Sequence, residues 1–236
     1  FTLLSIYLLL NKRNNLSAVF LGFASVSKLY PALFLPVLVF YLLNQKTSLH
    51  KIGSFLVTFF MVLVIFNLPF ALIDWHAWTY PYLHQLTNPE RNDTTTLSYY
   101  LTTVGLGQFR TLFLISLFSI SWVIIFIFYK AKKISSVNFI YLLLFTALSI
   151  VVGNHVYTPQ YFLWFLPYLA LVNKPVLWIW LPFDWLNAST RFFYFRFKTE
   201  WLELFHSIHT INIIFLVCLY LLVLYTIKLR FQDAKD

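Results

Sequence analysis

The run LSAVFLGFASVSKLYPALFLPVLVFYLL, Leu16–Leu43, decides the fold. It is almost wholly apolar, so water is the wrong solvent for it. Read as one helix at about 1.5 Å per residue, it would be ~42 Å long. That exceeds the ~30 Å hydrocarbon core of a bilayer. Its middle holds Lys28-Leu29-Tyr30-Pro31. An ammonium at mid-membrane is expensive unless a partner or a wet cavity meets it. Inside a helix, a proline loses a hydrogen bond and clashes with the preceding turn. Two readings follow. One is a hairpin of two half-length helices with the Lys28–Pro31 turn facing a cavity at the outer side. The other is a single tilted span kinked at Pro31. A Lys28 that snorkels is the bland alternative, but each end of the run is more than ten residues away.

The rest of the chain extends this reading. Apolar residues make up 60 % of it, charged residues 11 %, and the mean hydropathy is +0.75. A soluble domain carries about 25 % charged residues. After a stub at Phe1–Leu10 and the run above, apolar stretches recur at Ile52–Ile73, Phe109–Tyr129, Val137–Val152, Tyr161–Val172, Val176–Leu186 and Ile211–Ile227. The expected fold is an all-α, multi-pass transmembrane helical bundle with some short or broken spans, forming a single transmembrane domain over residues 1–236. The 27 Phe, 15 Tyr and 8 Trp suit hydrocarbon and its headgroup boundary.

The formal charge of +9 would suggest nucleic acid in a soluble protein. Here the cations flank spans, so topology and anionic lipid account for most of them, and no nucleic acid is expected. The clusters are Lys12/Arg13, Lys46/Lys51, Lys130/Lys132/Lys133 and Lys228/Arg230. With all of them cytoplasmic, residues 74–108 and 187–210 become extracytoplasmic loops, and Gly153–Gln160 a short one. A lone cysteine, Cys218, excludes a disulfide within the chain. Glycine-rich phosphate loops, Ser-His-Asp arrangements and cysteine clusters are missing from the sequence. His206 and His209 lack the companions a metal site needs, so no metal site is expected.

Four constellations could carry chemistry. Lys28 and Tyr30 occupy the broken run, and lysine binds phosphate as a compact point charge. The loop 74–108 holds His84, Glu90 and Arg91 among many aromatics, which suits phosphate or sugar hydroxyls and equally a solvated, capped turn. At a span entrance lie Asn154, His155, Gln160, Tyr161 and Trp164. Gln160, Tyr161 and Trp164 share a helical face through their i, i+3 and i, i+4 spacing. This group fits a sugar or polyprenyl chain, or an interfacial aromatic belt. The segment 187–210 is basic and aromatic, as lipid headgroups favour.

In order, Gly22…Lys28-Leu29-Tyr30-Pro31…Pro36, then Tyr82-Leu83-His84-Gln85-Leu86-Thr87…Arg91…Ser98-Tyr99-Tyr100, then Tyr157-Thr158-Pro159-Gln160-Tyr161-Phe162-Leu163-Trp164-Phe165 resembles the GT-C glycosyltransferases. Within them, the likeness is to mannosyltransferases of the GPI mannosyltransferase I type and related polyprenol-dependent enzymes. The resemblance implies transfer, with inversion, of a sugar from polyprenyl- or dolichyl-phosphate to a glycan or glycolipid acceptor at the extracytoplasmic face. It implies a multi-pass protein of the plasma membrane in a prokaryote, or of the endoplasmic reticulum in a eukaryote. It places the catalytic carboxylate on an early loop that this chain lacks, so the chain reads as the C-terminal portion of a larger protein. Lys28 and Arg91 would then bind the donor phosphate. Tyr30, His84, Glu90, His155, Gln160, Tyr161 and Trp164 would line the donor and acceptor sites. No cofactor is assigned; a divalent cation in the full-length protein and a small membrane accessory subunit are left open. The competing classes are a lipid-linked glycan flippase or solute transporter, since such proteins also use broken helices, and a non-catalytic membrane subunit.

Overall fold

The computed structural model describes residues 1–87, 96–131, 134–154, 161–172 and 202–232, with isolated positions between 175 and 189. No strand occurs among the described residues, and the helices run α1 (Thr2–Leu10), α2 (Asn14–Ser27), a 3-10 turn (Tyr30–Phe34), α3 (Leu35–Asn44), α4 (Leu49–Ile73) and α5 (Trp75–Thr87). They continue as α6 (Leu97–Thr103), a 3-10 turn (Gly107–Phe109), α7 (Arg110–Ala131), α8 (Ser136–Gly153), α9 (Phe162–Val172) and α10 (Leu202–Gln232). Among these, Leu49–Ile73, Thr111–Phe128, Ser136–Gly153 and Thr210–Arg230 are long and apolar enough to cross a membrane. The protein is an all-α, multi-pass membrane protein. Helices suit that solvent because each satisfies its own backbone polar groups. The chain forms two compact units, Phe1–Asn88 with Ile125–Ser136, and Pro89–Ile124 with Val137–Asp236.

In the first unit, the broken run reverses direction. Ser54 Oγ donates to Asn15 Oδ1 at 3.1 Å, Gly22 abuts Val62, and Phe23 meets Phe66 edge-on at 5.3 Å. Rising residue numbers on α2 thus match rising numbers on α4, and the two helices run parallel. Since α4 starts at the end where α2 starts, the chain must return through the 3-10 turn and α3. Both ends of Leu16–Leu43 therefore lie at one end of the unit, as the hairpin reading expects. The break falls within the expected Lys28–Pro31 turn, and Pro31 opens the segment that follows it. Helix α2 ends at Lys28, whose φ of −154° and ψ of 138° are extended. Pro31 and Pro36 fall in the first turns of the segments that follow. There a missing N–H costs nothing and the fixed φ is already right.

Close approach is bought with small residues. A Cβ on Gly22 would sit 2.7 Å from Val62 Cβ. Ser5 Oγ donates to Ser17 O at 2.8 Å, with both side chains fully buried where α1 packs on α2. Asn44 Oδ1 accepts from Ile134 N at 2.6 Å and Gln45 Nε2 donates to Ile134 O at 2.9 Å, which fastens the 125–136 segment to the turn after α3.

The second unit is centred on α8, whose residues from Phe139 to Gly153 are all buried. Ser149 and Ser121 hydroxyls hydrogen-bond at 2.6 Å, joining α8 to α7. Phe145 stacks on Tyr220 of α10 at 4.9 Å. The Tyr141 hydroxyl donates to Val172 O at 3.3 Å, and Arg230 lies over the Tyr141 ring. Helix α10 begins well before the apolar stretch Ile211–Ile227, so residues 202–210 of the expected loop are helical.

Candidate functional site

The site candidates in the first unit gather at the end where α2 stops. Lys28 caps that helix, donates its N–H to Ala24 O at 3.0 Å, and is exposed. Leu29 and Tyr30 then start the 3-10 turn. Tyr30 is half-buried, meets Phe34 edge-on at 6.3 Å, and hydrogen-bonds the Thr2 side chain. Because α1 runs antiparallel to α2, Phe1 reaches the same end and touches Phe20 and Phe23, each at 6.0 Å. The result is a cation on extended backbone beside a phenol and a cluster of Phe rings. That combination can hold a phosphate with an apolar tail.

Helix α5 folds back at this end. Asp74 Oδ1 accepts from Ala77 N at 2.9 Å, so the carboxylate caps the helix start. Trp78 Nε1 then donates to Asn67 Oδ1 of α4 at 3.3 Å. Trp78 also packs against Trp75 at 5.1 Å and Tyr82 at 5.6 Å. His84 is half-buried and lies edge-on to Tyr80 at 5.4 Å. Aromatic rings with amide, indole and hydroxyl groups among them suit a sugar face. Asn67 escaped the sequence reading. Its signal was a lone amide inside the apolar stretch Ile52–Ile73, and Asn67 Nδ2 is itself tied to Leu63 O at 2.8 Å.

In the second unit, Tyr161, just before α9, and Trp164, in its first turn, stack at 4.0 Å with planes 27° apart. Asn154 is half-buried and its N–H donates to Ile150 O at 3.1 Å. The remaining candidates Glu90, Arg91, His155 and Gln160 lie outside the described residues. The structure therefore groups Lys28 and Tyr30 with α5, and Tyr161 with Trp164.

Comparison with known proteins gives these features a context. The chain is 27 % identical over 230 residues to GPI mannosyltransferase 1 of Candida albicans, a match that covers 85 % of this chain and 56 % of the relative. The chain thus spans about half the length of the curated relative it matches. No solved structure matches it. Glycosyltransferase family 87 matches residues 1–153, which include the whole broken run, α4, α5 and α8. On that match, the chain belongs to glycosyltransferase family 87.

Proposed function

We propose that the protein of which this chain is part transfers a sugar, most simply mannose, from a polyprenyl- or dolichyl-phosphate donor to a glycan or glycolipid acceptor at the extracytoplasmic face. Membership of a glycosyltransferase family supports sugar transfer. The name of the Candida relative supports mannose. The observation that carries the lipid-phosphate donor is Lys28, an exposed cation at the helix break, with Tyr30 and the Phe1, Phe20 and Phe23 rings at the same end.

Such a reaction needs a base to take the acceptor hydroxyl's proton as the hydroxyl attacks the anomeric carbon. The bond to the lipid phosphate breaks, and the phosphate leaves with the bonding electrons. Cations placed where that charge develops lower the barrier. We assign this role to Lys28 and Arg91. Tyr30, His84 and Glu90 are assigned to sugar or acceptor contacts, and His155, Gln160, Tyr161 and Trp164 to the donor's lipid and sugar. No residue of this chain is assigned as the base.

The test is transfer of radiolabelled mannose from polyprenyl-phosphate mannose by membranes containing the full-length protein. Lys28→Ala is expected to lower transfer about 10²-fold, the scale of a lost charge-stabilising group. Lys28→Arg is expected to recover part of it. Transfer near wild type by a folded Lys28→Ala protein would remove Lys28 from the phosphate role.

A further inference from the structure

We propose that the end of the first unit opposite Lys28 is a docking surface for anionic phospholipid headgroups, formed by Lys12, Arg13, Lys46 and Lys51. Residues 1–73 contain no Asp or Glu, against Lys12, Arg13, Lys28, Lys46 and Lys51. Sequence alone scatters these cations along the chain. The parallel course of α2 and α4, with the return through α3, brings the α1–α2 turn, the α3–α4 turn and the first turn of α4 to one end. All four side chains there are exposed, and none has an ion-pair partner among the described residues.

The backbone gives a second, independent indication. Among the described residues, three helices end in the same turn. After α1, Lys12 N donates to Leu9 O and Arg13 N to Leu8 O, both at 2.9 Å. After α3, Lys46 N donates to Leu43 O at 3.0 Å and Thr47 N to Leu42 O at 3.1 Å. After α6, Gly105 N donates to Thr102 O at 3.0 Å and Leu106 N to Leu101 O at 2.7 Å. This turn needs a left-handed residue, for which glycine is the unstrained choice. Gly105 fills it with φ 79°, whereas Lys12 and Lys46 fill it with φ 62° and 56°. The two strained lysines both lie at the cation-rich end. A cation there complements the two helix C-termini, but it leaves the surface as a whole without a counter-charge. Helices α2 and α4 also start at this end, with no acidic residue in either first turn and no side-chain cap. Their open N–H groups add to the same positive field.

The fitting occupant is a phospholipid phosphate. Helix α4 is long and apolar enough to span the bilayer, and Lys51 lies in its first turn, at headgroup level. Clustered lysines and arginines at the end of a span attract the anionic lipids of the cytoplasmic leaflet.

The test reconstitutes the full-length protein in nanodiscs of phosphatidylcholine with phosphatidylglycerol, and counts retained lipids by native mass spectrometry. The wild type is expected to retain phosphatidylglycerol several-fold above its bulk fraction. The double variant Lys12→Gly/Lys46→Gly relaxes both turns, so it is expected to fold with unchanged or higher thermal stability and yet lose most of that enrichment. Lys12→Arg/Lys46→Arg is expected to keep it. Arg13→Gln/Lys51→Gln leaves both left-handed turns untouched and is expected to lower it as well. Equal enrichment in wild type and all neutral variants would overturn the proposal. Displacement of the lipid by excess inorganic phosphate would also overturn it, by marking the occupant as a soluble anion. The readout is lipid retention, so it stands or falls apart from sugar transfer.

Discussion

Helices α4 and α8 are both apolar enough to cross a bilayer, yet 11 % of the span window of α4 is buried against 83 % of that of α8. On α4, Val57, Phe60, Met61, Val64, Ile65 and Leu68 are exposed. On α8, no residue from Phe139 to Gly153 is. Lipid tails are about as apolar as leucine, so hydropathy cannot separate a helix that faces lipid from one that faces protein. The polar residues differ more clearly. Along α8, Thr146 and Ser149 are fully buried, and each hydroxyl donates to the carbonyl four residues back. Ser149 spends its remaining capacity on Ser121. In α4 the lone amide, Asn67, lies near the far end and reaches the indole of Trp78. The second unit uses its buried hydroxyls to join helices. The first does so between α1 and α2, through Ser5 and Ser17, while the amide of α4 sits near that helix's end.

The largest expected effect sharpens that contrast directly. Leu144→Ala in α8, where the side chain is 0 % exposed, should cost about 2–5 kcal/mol through lost contacts and a cavity. Ile65→Ala in α4, 59 % exposed, should cost under ~1 kcal/mol, because lipid fills the space. Thermal unfolding of the full-length protein in detergent or lipid would compare them, and equal losses would break the distinction. A smaller effect is expected where α4 does pack. Gly22→Ala would place its Cβ 2.7 Å from Val62 Cβ, for about 1–3 kcal/mol of overpacking. Val62→Ala in the same protein should recover part of it, and purely additive losses would mean that α2 and α4 do not meet there. The smallest concerns the hydroxyl pair. A double-mutant cycle on Ser121→Ala and Ser149→Ala should give a coupling of about 0.6 kcal/mol, the usual scale for such bonds between membrane helices. Zero coupling would remove the link between α7 and α8.

The site was legible to different depths. Lys28 stood out because a cation inside an apolar run has few structural explanations, and the fold puts it at a helix end. Tyr30 and Pro31 came with it, and α2 ends at Lys28, within the expected Lys28–Pro31 turn. Tyr161 and Trp164 were readable as an aromatic pair at a span entrance, and they stack. Asn67 and Trp78 were not readable as partners. They are 11 residues apart across the start of a new helix, and only the direction in which α5 folds back makes them meet. The reversal at Lys28 could not be settled either, since a kinked span and a hairpin share one hydropathy pattern.

The amino-acid sequence by itself determined the solvent, the approximate spans, the position of the break and the family. All of these follow from residue chemistry taken in order along the chain. Tertiary structure alone decided which apolar helix is buried, and that α2 and α4 run parallel. It also decided that Lys12, Arg13, Lys46 and Lys51 share one end while Lys28 and Tyr30 share the other. The reason is physical. Burial in lipid and burial in protein reward the same side chains, so order and hydropathy cannot tell them apart. Contacts such as Gly22 against Val62 do, because only close packing between particular helices fixes which surfaces meet.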